Sequence, residues 1–328
     1  MYSRNDTHGA QHRQMGAIRP TRTAYIKRWP ILVAGVLTLA GCTCCSARSL
    51  PAGTPPQPTH PKVDGDRAYQ LLVKQCAFGP RPVGSAAHQK TRDFLLAEMR
   101  KYADRTDVQD FTYREMPLTN IIGVFNPDAP RSILFCTHWD TRPTADQEVD
   151  PQKQREPIPG ADDGASGTAV LLELARIFHE QKPKVGVILV LLDGEDYGNF
   201  ETNEGVFLGS TYFAKHHDAY KPSFGILIDM VGDKDLDIYR EANSQRFAPG
   251  TNEKVFRIAK ELGYGKYFID EVRLNISDDH VPLSTIGHIP TIDLIDFNYA
   301  PWHTLDDTPD KCSAQSLAIV GNVLAEVA

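Results

Sequence analysis

Three carboxylates crowd four positions in LLDGEDYG (residues 191–198), where Asp193, Glu195 and Asp196 follow directly on an apolar run. Acidic turns are common and most are solvated loops, so this stretch gains meaning only beside others like it. CTHWDTRP brings His138 and Asp140, GADDGASG brings Asp162 and Asp163, and YAPWHTLDD brings His303. Each closes an apolar run or opens a helix, and each holds groups able to bind a metal. Mixed imidazole and carboxylate donors suit a borderline divalent ion such as zinc, and a catalytic zinc takes three protein ligands and keeps one position open. Asp163, Asp196 and His303 make such a set. Taken singly, Asp163 reads equally well as a cap for the helix through TAVLLELAR, and His303 as a structural histidine. What weighs against the single readings is coincidence with two more acidic points, Asp229 after the apolar ILI and Asp278–Asp279 before His280.

The order His-x-Asp, GA-x-D-GASG, DGE-acid, Asp-x-x-Gly, DDH and WHT-x-DD resembles the glutaminyl cyclases and the zinc aminopeptidases related to them, from about Asp64 to the C-terminus. The resemblance implies a Zn2+ enzyme with Asp163, Asp196 and His303 as metal ligands. It implies Glu195 as general base, Asp278 and Asp229 as carboxylates that raise its pKa, and Trp302 as an apolar wall of the substrate site. In the aminopeptidases, positions matching His138 and Asp229 complete a second metal site with Asp163 as the bridge; in a one-zinc cyclase His138 is structural. DDH, Trp302 before His303 and HWDTRP favour the cyclase. The implied substrates are peptides or proteins with N-terminal Gln, and the rival reading is a two-zinc aminopeptidase. Asp196 departs from the pattern, since the animal cyclases and many aminopeptidases have Glu there. Its carboxylate is one methylene shorter, so its reach must be recovered by the backbone. A binding protein with a decayed site is a third reading, against which the intact set of Asp163, Asp196, His303 and Glu195 speaks.

Elements must carry these groups to one place. Strand-like apolar runs occupy 108–113, 118–126, 132–137, 185–192, 224–231 and 290–294, with helical spacing over 66–77, 85–102, 166–179, 210–217 and 252–262. Strands apolar on both faces that alternate with helices predict a three-layer α/β/α sandwich around a mixed, largely parallel sheet. In such sheets ligands sit at the carboxyl ends of the strands. Residues 143–160 read as a long polar loop, and no internal repeat is present.

The N-terminus reads differently. Lys27 and Arg28 precede WPILVAGVLTLAGC, an apolar run with small residues at a cysteine, the layout of a secretory signal. LAGC resembles a bacterial lipobox, which implies a signal peptide over 1–41, lipidation of Cys42 and a membrane anchor facing the periplasm or cell exterior. Residues 42–63, rich in Pro and Gly, read as a disordered tether to a catalytic domain over 64–328. Residues 1–41 carry a net +5, and removing it from the formal −7 leaves about −12 on the rest, which argues against nucleic acid as a partner. Cys76, Cys136 and Cys312 lie in the folded part without zinc-finger spacing, and any pairing among them stays open, as does the oligomeric state.

Overall fold

The computed structural model describes residues 62–200 and 202–328. The expected signal peptide, Cys42 and nearly all of the expected tether lie outside the described residues. Val63, assigned to the tether, is buried against Gly321 and donates its amide to Asn322.

In chain order the elements are helices α1 (Gly65–Cys76) and α2 (Ala86–Tyr102), strands β1 (Arg105–Tyr113), β2 (Met116–Phe125) and β3 (Ser132–His138), α3 (Ala165–Glu180), β4 (Gly186–Leu192), α4 (Leu208–Lys215), β5 (Gly225–Asp229), β6 (Ile238–Glu241), α5 (Ala242–Phe247), α6 (Pro249–Glu261), β7 (Phe268–Leu274), α7 (His280–Thr285), β8 (Thr291–Ile295) and α8 (Ala314–Val327). The main sheet has the order β1-β2-β4-β3-β5-β8, with β4, β3, β5 and β8 mutually parallel and β1 and β2 joined antiparallel at one side. It is the predicted mixed, largely parallel sheet.

The alternation along each strand divides the interior. Val187, Leu189 and Leu191 of β4, Ile133 and Phe135 of β3, and Ile226 and Ile228 of β5 join one core with α1, α3, α6 and α8. Their neighbours Ile188, Val190, Leu192, Leu134, Cys136 and Leu227 join a second core with Phe213 of α4 and Leu283 of α7. Because successive side chains point to opposite faces, a continuous apolar run is what a sheet covered on both sides requires. β1 is the exception to the expectation of apolar strands: at the sheet edge it is only half buried, and Val108 is exposed.

Several local signals act as read. Ser85 caps α2 by accepting from the amide of His88. α3 begins at a bare Gly164 with no side-chain cap, so neither Asp162 nor Asp163 is spent on capping. β5 stops earlier than the apolar run, because Met230 turns into the left-handed region at φ 44°. The parallel pair β6/β7 and the short helices α5 and α7 were not predicted, nor was α8. Cys76, Cys136 and Cys312 are free thiols.

Candidate active site

The four parallel strands end at the same edge, and each delivers one part of the site. His138 is the last residue of β3, Glu195 and Asp196 follow β4, Asp229 ends β5, and His303 lies in the segment after β8. Asp163 sits in the turn that opens α3, and Asp278 just precedes α7. In β3 and β4, His138 pairs in register with Leu192, and Trp139 continues the ladder by donating its amide to Leu192. This sets HWD beside DGED.

Asp140 then clamps the acidic turn: its two carboxylate oxygens accept from the amides of Glu195 (3.1 Å) and Asp196 (3.3 Å). Gly194 makes the turn possible at φ 75°, where a Cβ would come within 2.4 Å of Leu118. Asp193 points away from the cleft. Its carboxylate meets His88 Nε2 at 2.8 Å and accepts the Thr119 amide at 2.7 Å, while His88 stacks on buried Trp139. The first of the three crowded acids is structural.

A second clamp holds GADDG. Asp307 accepts from the amides of Asp162 (2.8 Å) and Asp163 (3.2 Å) and from the Tyr299 hydroxyl. Arg81, fully buried, donates to the carbonyls of Trp139 (2.7 Å), Gly160 (2.7 Å), Pro159 (3.2 Å) and Asp163 (3.4 Å). Gly164, at φ 93°, lets the turn lie against the Asp140 carbonyl, where a Cβ would come within 2.6 Å. Each stranded buried carbonyl costs about 1–3 kcal/mol, so Arg81→Met is expected to lose about 3 kcal/mol or more. Urea unfolding checks this, and an unchanged midpoint would refute it.

Within this frame the donor atoms of Asp163, Asp196 and His303, all buried, lie within 4.8 Å of one another. His303 Nε2 is 3.7 Å from both Asp163 Oδ2 and Asp196 Oδ1. Asp196 Oδ2 is buried without a hydrogen-bond partner, which a native interior does not leave unexplained. Two carboxylates and an imidazole with such a vacant oxygen fit a zinc ion in their midst. His303 holds its place with φ 54°, a left-handed conformation that a non-glycine residue adopts at some cost and that collects at functional sites. His138, Asp163 and Asp229 form a second convergent trio sharing Asp163. Here His138 Nε2 is 3.1 Å from a carboxylate oxygen of each partner.

Glu195 faces the cleft, with Oε2 4.0 Å from His138 Nδ1. Burial foremost, then the charge of Asp196, holds its carboxyl well above the usual range; Asp278 and Asp279 add to this and His138 opposes it. Asp278 is raised in turn by burial, Asp229 and Asp279. His280, third member of DDH, turns away from the cleft to stand 3.3 Å from Glu241 Oε2. Asp279 accepts from the Ser210 hydroxyl.

The site opens into a cleft of about 420 Å³ with Trp302, Phe200, Ile276, Ile295 and Phe297 among its apolar lining. Trp302 stacks on His303 at 4.0 Å between ring centres and meets Phe297 at 4.9 Å. Sequence reasoning missed Arg81, Arg142, Asp146 and Asp307 as builders of the site. Arg142 and Asp307 stood inside the motifs HWDTRP and WHTLDD; Asp146, in the polar stretch 143–160, gave no signal.

An α/β/α sandwich with convergent histidine and carboxylate groups at the carboxyl edge of its sheet has the layout of a metal-dependent enzyme. The model described as Peptidase family M28 matches residues 120–328, and the chain belongs to that family. Among solved structures, it is similar to a glutaminyl cyclase of Bacteroides thetaiotaomicron (37% identity, TM-score 0.78, 82% of this chain and 98% of that one). A Zn-dependent exopeptidase of Parabacteroides distasonis is as similar (36% identity, TM-score 0.79, 82% and 99%). Among curated proteins, the glutaminyl-peptide cyclotransferase of Drosophila melanogaster is 25% identical over 282 residues, 75% of this chain and 76% of that protein.

Proposed function

We propose that the protein is a zinc-dependent glutaminyl-peptide cyclotransferase that converts N-terminal Gln of peptides or proteins to pyroglutamate with release of ammonia. The observation that carries this reading is the placement of Glu195, a buried carboxyl facing the cleft, beside the trio Asp163, Asp196 and His303. The glutaminyl cyclase relatives support it.

In the reaction the α-amine nitrogen bonds to the γ-amide carbon, the bond from that carbon to the amide nitrogen breaks, and ammonia leaves without water being consumed. Asp163, Asp196 and His303 would hold the zinc, and the ion would supply Lewis-acid polarisation of the γ-carbonyl. Glu195 accepts a proton from the attacking amine and returns it to the departing nitrogen, a double task suited to a carboxyl with a raised pKa. Burial and the charge of Asp196 set most of that environment, and Asp278 adds to it; Asp229 is proposed as a further carboxylate of the cleft. Trp302 and its apolar neighbours hold the glutamine side chain folded toward its own amine, which is where ring closure gains most from positioning.

One zinc is the proposed content. His138 Nε2 lies at hydrogen-bonding distance from both Asp163 and Asp229, so a proton there can hold the second trio together. The same trio is the observation behind the rival, a two-zinc aminopeptidase. Incubation of the zinc-loaded protein with a Gln-initiated peptide separates them: a mass loss of about 17 Da, one ammonia, is expected. Release of a free amino acid would sink the cyclase. The lipobox-like LAGC supports the further proposal of an exported protein anchored through lipidated Cys42.

A further inference from the structure

The stretch 143–160 is docked against the segment of His303. Ala145 and Ile158 are buried, and Gln147 donates its amide to the His303 carbonyl at 3.2 Å. Glu148 accepts the Leu305 amide at 3.1 Å. The docking places Asp146 Oδ1 2.9 Å from His303 Nδ1. The other oxygen of Asp146 accepts from Arg142 Nε at 2.7 Å, and Arg142 Nη1 donates to Asp196 Oδ1 at 3.0 Å. Arg142 is nearly buried, and its guanidinium lies 4.9 Å from the ring centre of Phe200 in the cleft wall. A continuous chain therefore runs from His303 through Asp146 and Arg142 to Asp196.

Each link has a chemical consequence. A carboxylate at Nδ1 fixes the tautomer that leaves the Nε2 lone pair facing Asp163 and Asp196. The guanidinium forks between two carboxylates, with Nη1 on Asp196 Oδ1 and Nε on Asp146 Oδ2, which restrains the rotation of the short Asp196 side chain and leaves its Oδ2 without a partner. We propose that Arg142 and Asp146 are positioning residues that act as one unit. The unit sets Asp196 and His303 together for zinc. This rests on the assignment of Asp163, Asp196 and His303 as ligands.

The test is zinc affinity by competition with a chromogenic chelator, measured on the full catalytic chain together with apo-protein unfolding. Arg142→Lys keeps the charge and removes the fork; Asp146→Asn keeps the shape and removes the charge. Each is expected to weaken zinc by about 10–100-fold. The double variant should be no weaker than the worse single one, because residues of one unit are not additive. Wild-type affinity in either single variant, or additive losses in the double, would overturn the unit. Asp146 is partly exposed at the rim, so Asp146→Asn reads the proposal even if Arg142→Lys fails to fold. His303→Ala separates the two levels: if it binds zinc like the wild type, the ligand assignment fails. If it loses zinc while both supporting variants keep it, only the unit fails.

Discussion

Glu195→Gln is expected to lower kcat by about 10²–10⁴-fold, the span that loss of a general acid–base group covers, with zinc content and KM close to wild type. The substitution is isosteric and leaves untouched the amide that Asp140 holds at 3.1 Å. Asp196, next in sequence, keeps its own amide contact to Asp140 and its bond to Arg142. What disappears is the ability to take a proton in the cleft and give it back. A loss confined to the transition state lowers kcat and kcat/KM together. Ammonia release under steady-state conditions, with zinc measured on the same preparation, gives both readouts. Full residual turnover would refute Glu195 as base, and loss of zinc would make it a supporting rather than a proton-transferring residue.

His303→Ala is expected to strip the zinc and with it all turnover above that of chelator-treated wild type. The imidazole is the one nitrogen donor of its trio and stands 3.7 Å from both of the other ligands. Its removal also leaves Asp146 without its 2.9 Å partner and Trp302 without the ring it stacks on at 4.0 Å. The loss should therefore exceed the roughly 10–100-fold that removal of a supporting group costs a metal site. Elemental analysis after dialysis, followed by assay with excess zinc, measures it. Retention of one tightly held zinc would move the ligand role elsewhere, with the trio of His138, Asp163 and Asp229 as the place to look.

The supporting groups explain which parts of the site were legible beforehand. LLDGEDYG showed its acids because strand ends and glycine turns leave local marks, an apolar run followed by a residue that tolerates φ 75°. It did not show which acid would face the cleft. Asp193 turns inward because His88, more than a hundred residues earlier in the chain, waits there beside Trp139. Asp146 illustrates the opposite case: in a polar stretch without periodicity, nothing local separates the carboxylate that reaches His303 from the other acids around it.

The sequence by itself determined the apolar strands of the main sheet, several of the helices that cover them and the identity of the chemical groups. All of these follow from the period of side-chain direction and from backbone sterics, which act within a few residues. Only the tertiary structure decided the rest. It set Asp140 beneath both amides of the acidic turn and buried Arg81 among four carbonyls. It left α3 uncapped so that Asp163 stayed available, and it joined Asp196 to His303 through Arg142 and Asp146. Apart from the local pair Arg142–Asp146, these contacts join residues far apart in the chain, brought together by the tertiary fold. Hydrogen bonds of that kind depend on distances of a few tenths of an ångström, which no local pattern encodes.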